Sequence, residues 1–416
     1  ETICAISTAA GVGGIAVIRI SGSHAIAISD KIFKPLKSGK SVAEMDGNTI
    51  QFGRIVNNKN EIIDEVLISL FRNPHSFTGE DVVEIGCHGS LFIQQEILKL
   101  LIENGCSMAK AGEFTQRAFL NGKMDLSQAE AVADLIASNS KAAHRIALNQ
   151  MRGGFSEELT RLRMKLLDFT SLVELELDFA DHEELEFADR SELQSLANEI
   201  EQKINQLTNS FSVGNAIKNG VPVAIVGETN AGKSTLLNQL IGEEKAIVSD
   251  IHGTTRDVIE DTISIDGILF RFIDTAGIRE TTDTIENLGI KRTYQMIEKA
   301  QIILWIIDAS TTKSFDPTTL SIPKDKKLII VFNKTDKTDI SHLSTTFTHC
   351  FISAKNNIGI DTLQRLLIEA SNINEKALED VTISNARHYE SLLHALDAIR
   401  RVQDGLRVGL SGELMS

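Results

Sequence analysis

Apolar and polar positions divide the chain into three textures. In residues 1 to about 112, short apolar runs alternate with turns. Ile3-Cys-Ala-Ile-Ser7 and Gly14-Ile-Ala-Val-Ile-Arg-Ile20 predict strands around the glycine-rich turn Ala10–Gly14, and Asp81-Val-Val-Glu-Ile85 predicts another. Apolar residues Leu91, Phe92, Ile93, Ile97, Leu98, Leu100, Leu101 and Ile102 predict an amphipathic helix ending at Glu103. Strands mixed with helices in this way predict an α+β unit. From about 113 to 215 alanine, leucine and glutamate dominate, proline is absent and the apolar period becomes that of a helix. From about 216 to 372 the runs Val221–Val226, Ile268–Asp274, Ile302–Ile307, Lys327–Phe332 and Phe351–Ser353 alternate with helical stretches, the pattern of a mostly parallel sheet covered on both faces. Residues 373–416 return to a helical period and most simply rejoin residues 113–215, so that 216–372 is an α/β insertion in a helical domain. The expected fold class is multidomain α/β and all-α.

Composition narrows the partners. The chain has 416 residues, 42% of them hydrophobic and 24% charged, enough for two to four packed domains. The net charge of −15 argues against a surface coated with phosphate-binding cations and leaves room for a local basic patch. Lys141, Arg145 and Arg152 share one face of a helix, where they are either a solvated stripe or a place for nucleic-acid phosphates. Cys4, Cys87, Cys106 and Cys350 are scattered without a C-x-x-C pair, as in a reduced cytoplasmic protein. No run approaches 18 apolar residues and no basic segment with an apolar run opens the chain, so neither a membrane span nor a leader is expected. The acidic stretch Glu174–Arg190 reads as a solvated helix face, with a metal site the weaker alternative.

The chemistry begins at Gly227-Glu-Thr-Asn-Ala-Gly-Lys-Ser234, which follows the apolar run ending at Val226. This is a phosphate-binding loop in the strand-before, helix-after setting it needs. Backbone N–H groups from Asn230, Ala231, Gly232, Lys233, Ser234 and Thr235 converge on phosphate oxygens, reinforced by the N-terminal end of the next helix. Lys233 would reach the β- and γ-phosphates and the Ser234 hydroxyl would bind Mg²⁺. The loop Ser249, Asp250, Ile251, His252, Gly253, Thr254 and Thr255 would cover the nucleotide, with Thr255 as the second Mg²⁺ hydroxyl. Asp274, Thr275, Ala276 and Gly277 end a strand where a γ-phosphate can be sensed. Asn333, Lys334, Thr335 and Asp336 follow another strand. A carboxylate at Asp336 accepts from N1–H and the exocyclic amine of guanine, a donor pair adenine lacks. Ser353, Ala354 and Lys355 would close over the base. Four short motifs in this order, each at the C-terminal end of a strand, predict a guanine-nucleotide domain.

The residue after Gly277 is Ile278, where Ras-like switches carry a water-orienting Gln. The water must then be placed by another group: Glu286 is a candidate, and a solvated surface glutamate is the competing reading. Arg256 and Arg279 are unconvincing as arginine fingers. Asn230 offers a different route: with carbonyls from Ser249 to Thr254 its amide oxygen could hold a monovalent cation against the phosphates and neutralise developing charge.

Beyond these motifs the chain resembles the MnmE (TrmE) family of tRNA modification GTPases along nearly its whole length. The resemblance is carried by Gly13-Gly-Ile-Ala-Val-Ile-Arg-Ile-Ser-Gly22, Ser76-Phe-Thr-Gly-Glu-Asp-Val-Val-Glu84, Gly112-Glu-Phe-Thr-Gln-Arg-Ala-Phe-Leu-Asn121 and Lys123-Met-Asp-Leu-Ser-Gln-Ala-Glu-Ala131. It implies an N-terminal domain over 1–112 that binds a tetrahydrofolate one-carbon donor (5-formyl- or methylene-tetrahydrofolate) and forms a homodimer, a helical domain over 113–215 and 373–416, and a G domain over 216–372. It implies folate contacts at Arg19, Glu84 and Lys123. From the residues alone, Arg19 and Glu84 read as ordinary strand positions. It further implies K⁺ ligands at Asn230, Ser249, Ile251 and Thr254, Glu286 as the water-orienting residue, and a flavin-containing partner subunit (GidA, or MnmG). The implied reaction adds a carboxymethylaminomethyl-type group at C5 of the wobble uridine of tRNA, coupled to GTP hydrolysis in the cytoplasm. The family's Cys-Ile-Gly-Lys ending has no counterpart in Gly412-Glu-Leu-Met-Ser416.

Two other readings compete. A ribosome-assembly GTPase shares the Ile278 and Asn230 features, but usually carries a second G domain or a basic RNA-binding domain. A one-carbon transferase regulated by the G domain would need an acid–base pair in the N-terminal domain, and residues 1–112 offer no such constellation as a sequence.

Overall fold

A computed structural model describes residues 1–36, 39–179, 190–243, 261–273, 286–312, 320–340, 343, 345–373 and 381–408. The chain divides into two compact units, Glu1–Val132 and Ala133–Ser416. The expected multidomain α/β and all-α architecture is present.

The first unit is a seven-stranded sheet with two helices packed on one face. Its elements are β1 (Ile3–Ile6), β2 (Gly13–Ser21), α1 (Ala25–Ile32), β3 (Phe33–Pro35), β4 (Thr49–Val56), β5 (Ile62–Phe71), β6 (Val82–Gly89), α2 (Leu91–Glu103), β7 (Ser107–Met108), α3 (Glu113–Leu120) and the start of α4 (Leu126–Ala137), within which the division falls. The strand order is β3-β4-β5-β6-β2-β1-β7, antiparallel except where β7 pairs β1. Side-chain alternation divides the sheet into two faces. Ile18, Ile20, Val66, Ile68, Leu70, Val83 and Ile85 turn into the core with Ile28 and Ile32 of α1 and Ile97, Leu100 and Leu101 of α2. Each such burial contributes on the order of 1.5–3 kcal/mol before conformational entropy is counted. The opposite face is open: Ile15, Ile50 and Leu67 are 74%, 67% and 52% exposed. β4 and β5, which carry much of that face, were not anticipated from the hydrophobic pattern.

The second unit holds α5 (Lys141–Met151), α6 (Gly154–Phe179), α7 (Arg190–Asn219), β8 (Val221–Gly227), α8 (Lys233–Glu243), β9 (Asp261–Ile265), β10 (Ile268–Phe272), α9 (Glu286–Lys299), β11 (Ile302–Asp308), β12 (Lys327–Asn333), β13 (His349–Phe351), α10 (Ile360–Ser371) and α11 (Ala386–Arg407). The strand order is β13-β12-β11-β8-β10-β9, parallel except for the β9–β10 hairpin. Near-continuous apolar runs such as Ile302–Ile307 suit strands covered on both faces. Leu236, Leu237 and Leu240 of α8 and Leu363 and Leu367 of α10 pack on one face. Ile297 of α9 and Ala300 just beyond its end pack on the other against Ala224, Val226 and Ile303. The register sets Ile306 beside Gly227 and Asp308 beside Asn333, so the strands end level. Separately, α6, α7 and α11 bury Leu162, Phe169, Leu193, Ile200, Ile204, Leu396 and Ile399 in a helical core. Among the described residues no helix is long and apolar enough to cross a membrane.

Candidate functional site

The level ends of β8, β11 and β12 form the edge where a doubly wound sheet receives ligands. The loop between β8 and α8 starts at Gly227, whose φ is +146°. A Cβ there would lie 2.3 Å from the Ile306 carbonyl oxygen, so only glycine fits. At Gly232, φ is +100° and a Cβ would meet the Asn333 side-chain nitrogen at 2.1 Å. Asn230 stands between them with φ +62°, a left-handed conformation asparagine tolerates. Ser234 is half-buried in the first turn of α8, and Thr235 is exposed beside it.

Asn333 ties the motifs together. Its side chain is buried, donates to the Ala231 carbonyl at 2.8 Å and accepts from the Ala354 N–H at 3.0 Å. One amide thus joins the phosphate loop, the base-recognition motif and Ser353-Ala-Lys355. Asp336 accepts from the Ser353 hydroxyl at 2.6 Å, and this bond holds its carboxyl below the usual range. Asp336 remains exposed, with its other lone pairs available. Thr335 donates from its hydroxyl to the Ile352 carbonyl at 3.0 Å. Lys334 takes φ +65° and pairs with Asp308 at 2.6 Å. Burial pushes the Asp308 carboxyl up, and hydrogen bonds from Lys334 and Ser310 outweigh it, leaving a net lowering. Asp308 was not anticipated from the sequence; the available signal was a carboxylate directly after the apolar run Ile302–Ile307, and its pairing with Asn333 is set by register. Lys355 is exposed.

Lys233 donates to the carbonyls of Gly227 and Glu228, both at 2.6 Å. Burial lowers its pKa, partly offset by the charge of Glu228. An ammonium held this close to the loop would gain a counter-charge from a triphosphate bound there. Ser249, Asp250, Ile251, His252, Gly253, Thr254, Thr255, Asp274, Thr275, Ala276 and Gly277 lie outside the described residues, as do Arg256, Ile278 and Arg279. Glu286 is the first residue of α9, and its side chain lies outside them too.

In the first unit, Arg19 on β2 sits opposite Glu84 on β6. The guanidinium grips that carboxylate through Nε at 2.8 Å and Nη2 at 2.7 Å. Its flat face also lies over two rings, 5.3 Å from the centroid of Phe77 and 5.6 Å from that of Phe114. Lys123 donates to the Pro74 carbonyl at 3.0 Å, and its stem passes Gly79. All three expected folate contacts therefore converge on the 74–84 segment. Lys141 and Arg145 lie along α5 beside Asp266, Gly267 and Glu369, where Ala142 N–H donates to Gly267 at 3.1 Å; Arg152 follows the end of α5 and is exposed.

Comparison with known proteins agrees along the whole chain. Residues 2–123 match the family model of the GTP-binding protein TrmE N-terminus, and residues 126–416 match that of the MnmE helical domain. The tRNA modification GTPase MnmE of Bacteroides thetaiotaomicron is 60% identical, covering 100% of this chain and 92% of its own. The chain belongs to the MnmE (TrmE) family. The MnmE of Flavobacterium psychrophilum is 51% identical over the same shares. A solved G domain of the T. maritima FeoB iron transporter is 23% identical over 36% of this chain and 99% of its own, with a TM-score of 0.26, too slight a likeness to add to the fold.

Two of the segments that carry the MnmE resemblance fold against each other. Arg117 pairs with Glu80 at 3.1 Å and with Glu113 at 3.0 Å. Glu80 also accepts from the Ser21 hydroxyl, which meets Thr78 at 2.7 Å. Asn121 donates to the Thr78 carbonyl at 2.8 Å. This network fixes the segment whose Phe77 ring lies against the Arg19 guanidinium.

Proposed function

We propose that this chain hydrolyses GTP to drive the addition of a carboxymethylaminomethyl-type group at C5 of the wobble uridine of tRNA, acting in the cytoplasm as a homodimer with a flavin-containing GidA/MnmG partner. The observation that carries the nucleotide part is Asn333, which holds the phosphate loop and the guanine-reading Asp336 in one frame. Membership in a family whose curated relatives are named tRNA modification GTPases supports the substrate. The division of labour follows the limits 1–112, 113–215 with 373–416, and 216–372.

Within the G domain, backbone N–H groups from Asn230 to Thr235 would seat the phosphates, and Lys233 would turn from the loop carbonyls to the β- and γ-oxygens. Asp336 would select guanine. Ser234 and Thr255 would hold Mg²⁺, a hard cation suited to hydroxyl and phosphate oxygens. The left-handed Asn230 suits a K⁺ site shared with Ser249, Ile251 and Thr254. These cations neutralise charge that develops on the phosphates. Glu286 would orient the attacking water, since Ile278 cannot. The Glu84 carboxylate, gripped by Arg19, would offer an acceptor to the amino edge of a pterin, with the cations of Arg19 and Lys123 beside it for a tetrahydrofolate. That group supplies a one-carbon unit.

The test is nucleoside analysis of tRNA from cells lacking this chain. Unmodified wobble uridines are expected; normal tRNA beside immature ribosomes would establish the ribosome-assembly reading instead. Equal GTP turnover in Na⁺ and K⁺ buffers would remove the K⁺ site.

A further inference from the structure

Where the β5–β6 ladder of the N-terminal sheet ends lies an acid–base pair that the sequence concealed. Asp64 of β5 is 8% exposed, and its carboxylate takes three hydrogen bonds. They come from the His88 ring Nδ1 at 2.7 Å, the His88 backbone N–H at 2.8 Å and the Glu65 N–H at 2.9 Å. A carboxylate so placed only accepts, so Nδ1 of His88 carries the hydrogen and Nε2 is left as the exchanging atom. The His88 side chain is 67% exposed, and among the described residues no hydrogen bond reaches Nε2. A buried acid orienting an exposed imidazole is an arrangement that moves protons in many unrelated enzymes.

Its position relates it to the Arg19–Glu84 pair. Glu84, Gly86 and His88 share one face of β6 by alternation, opposite the buried Val83, Ile85 and Cys87. Glu84 and His88 are four residues apart, about 13 Å along an extended strand. Between them lies Gly86. A Cβ there would meet only Leu67, at 3.5 Å and 3.8 Å, which is ordinary contact. The fold itself therefore does not require glycine at this central position. A glycine inside a strand weakens it, and often marks where a ligand or another backbone comes close. The result is a bare floor with a guanidinium–carboxylate pair at one end and, at the other, the His88 imidazole, anchored by Asp64, which alternates with the buried Val66 and Ile68 of β5 and meets His88 at the end of the ladder.

We propose that Asp64 and His88 are the proton-transfer pair of this sheet-face site, acting on a reduced pteridine laid along β6. The inference rests on the folate reading of Arg19 and Glu84. A protonated His88 delivers the hydrogen from Nε2 to a nitrogen of the bound group: the imidazole N–H bond breaks, a new N–H bond forms, and neutral imidazole remains, held by Nδ1–H to Asp64. The reverse transfer resets it. This supplies the acid–base function that residues 1–112 lacked when read as a sequence.

The competing role is structural, with Asp64 only satisfying the His88 amide where the β5–β6 ladder ends. The full chain, labelled with ¹⁵N-histidine, separates the two on titration with 5-formyltetrahydrofolate, read by NMR beside calorimetry. The His88 ring signals are expected to shift saturably along the calorimetric binding curve. His88→Gln should keep affinity within about tenfold, the worth of one hydrogen bond. It should lower one-carbon-dependent tRNA modification by about 10²–10⁴-fold and leave GTP hydrolysis unchanged. Asp64→Asn should bind and fold, yet shift the ring to the other tautomer. Unmoved His88 signals while the wild type binds and Arg19→Ala does not would overturn the dyad and keep the folate reading. A chain that binds no folate in either form would overturn both.

Discussion

The two sheets build their sites in opposite ways. In the second unit, the candidate nucleotide site lies past the ends of parallel strands, where the chain must turn and where backbone N–H groups would do the binding. Turns of that shape demand glycine: a Cβ at Gly227 or Gly232 would overlap its neighbours. In the first unit, the candidate site lies across the middle of antiparallel strands, and side chains make it. Arg19 meets Glu84 only because β2 and β6 pair in one register, 65 residues apart. A site made by backbone writes a motif into the sequence, whereas a site made by register does not.

Substitutions at each site test that contrast, and the largest effect belongs to the turn. Lys233→Ala should lower kcat/KM for GTP by about 10²–10³-fold, the scale of one lost charge-stabilising donor. The fold should stay intact, because among the described residues Lys233 bonds loop carbonyls; steady-state phosphate release with circular dichroism measures both. On the sheet face, Arg19→Ala leaves Glu84 without its partner in a half-buried setting. Calorimetry should show 5-formyltetrahydrofolate affinity about 10–100-fold weaker, with GTP turnover unchanged, if the regions are chemically separate.

A smaller effect tests whether the turn site is one frame. Asn333→Ala strands the Ala231 carbonyl and the Ala354 N–H, both otherwise satisfied. The cost is about 1–3 kcal/mol. For a domain of this size each kcal/mol lowers the melting temperature by about 2–4 °C, visible by scanning calorimetry. An unchanged melting profile would mean that the three motifs hold position independently.

The finest test is electrostatic. In the proposed function Asp336 would read guanine as a carboxylate, and the Ser353 bond lowers its pKa. A depressed carboxyl stays ionised as pH falls, so GTP affinity should hold until pH passes below the ordinary carboxylate range. Ser353→Ala removes the donor, raises the Asp336 pKa and should move that loss to higher pH. Nucleotide affinity against pH, wild type beside variant, gives the direction.

The same contrast explains what could be read before the fold. The phosphate loop, Asp336 and Ser353 were legible because strand-end chemistry needs particular residue types at fixed spacing. The regular periods of α2, α7 and α11 were legible as helices for a similar reason: each buries one stripe. The rest needed register. Asp308 acquires its meaning from Asn333 on the neighbouring strand and from Lys334 beyond it. Asp64 and His88 are 24 residues apart on strands whose pairing no local pattern specifies. Arg117, Glu80 and Asn121 belonged to segments marked by family resemblance, and their packing role became visible only when the two segments were seen to meet.

The central claim joins guanine reading to tRNA modification, and Asp336→Asn tests both. An amide at this position offers a donor to the carbonyl that xanthine carries in place of the guanine amine, and it loses the carboxylate that guanine needs. With the flavin partner and unmodified tRNA, wobble-uridine modification by Asp336→Asn should fail with GTP and recover with xanthosine triphosphate. Modification by the variant that proceeds equally well with GTP would contradict the account.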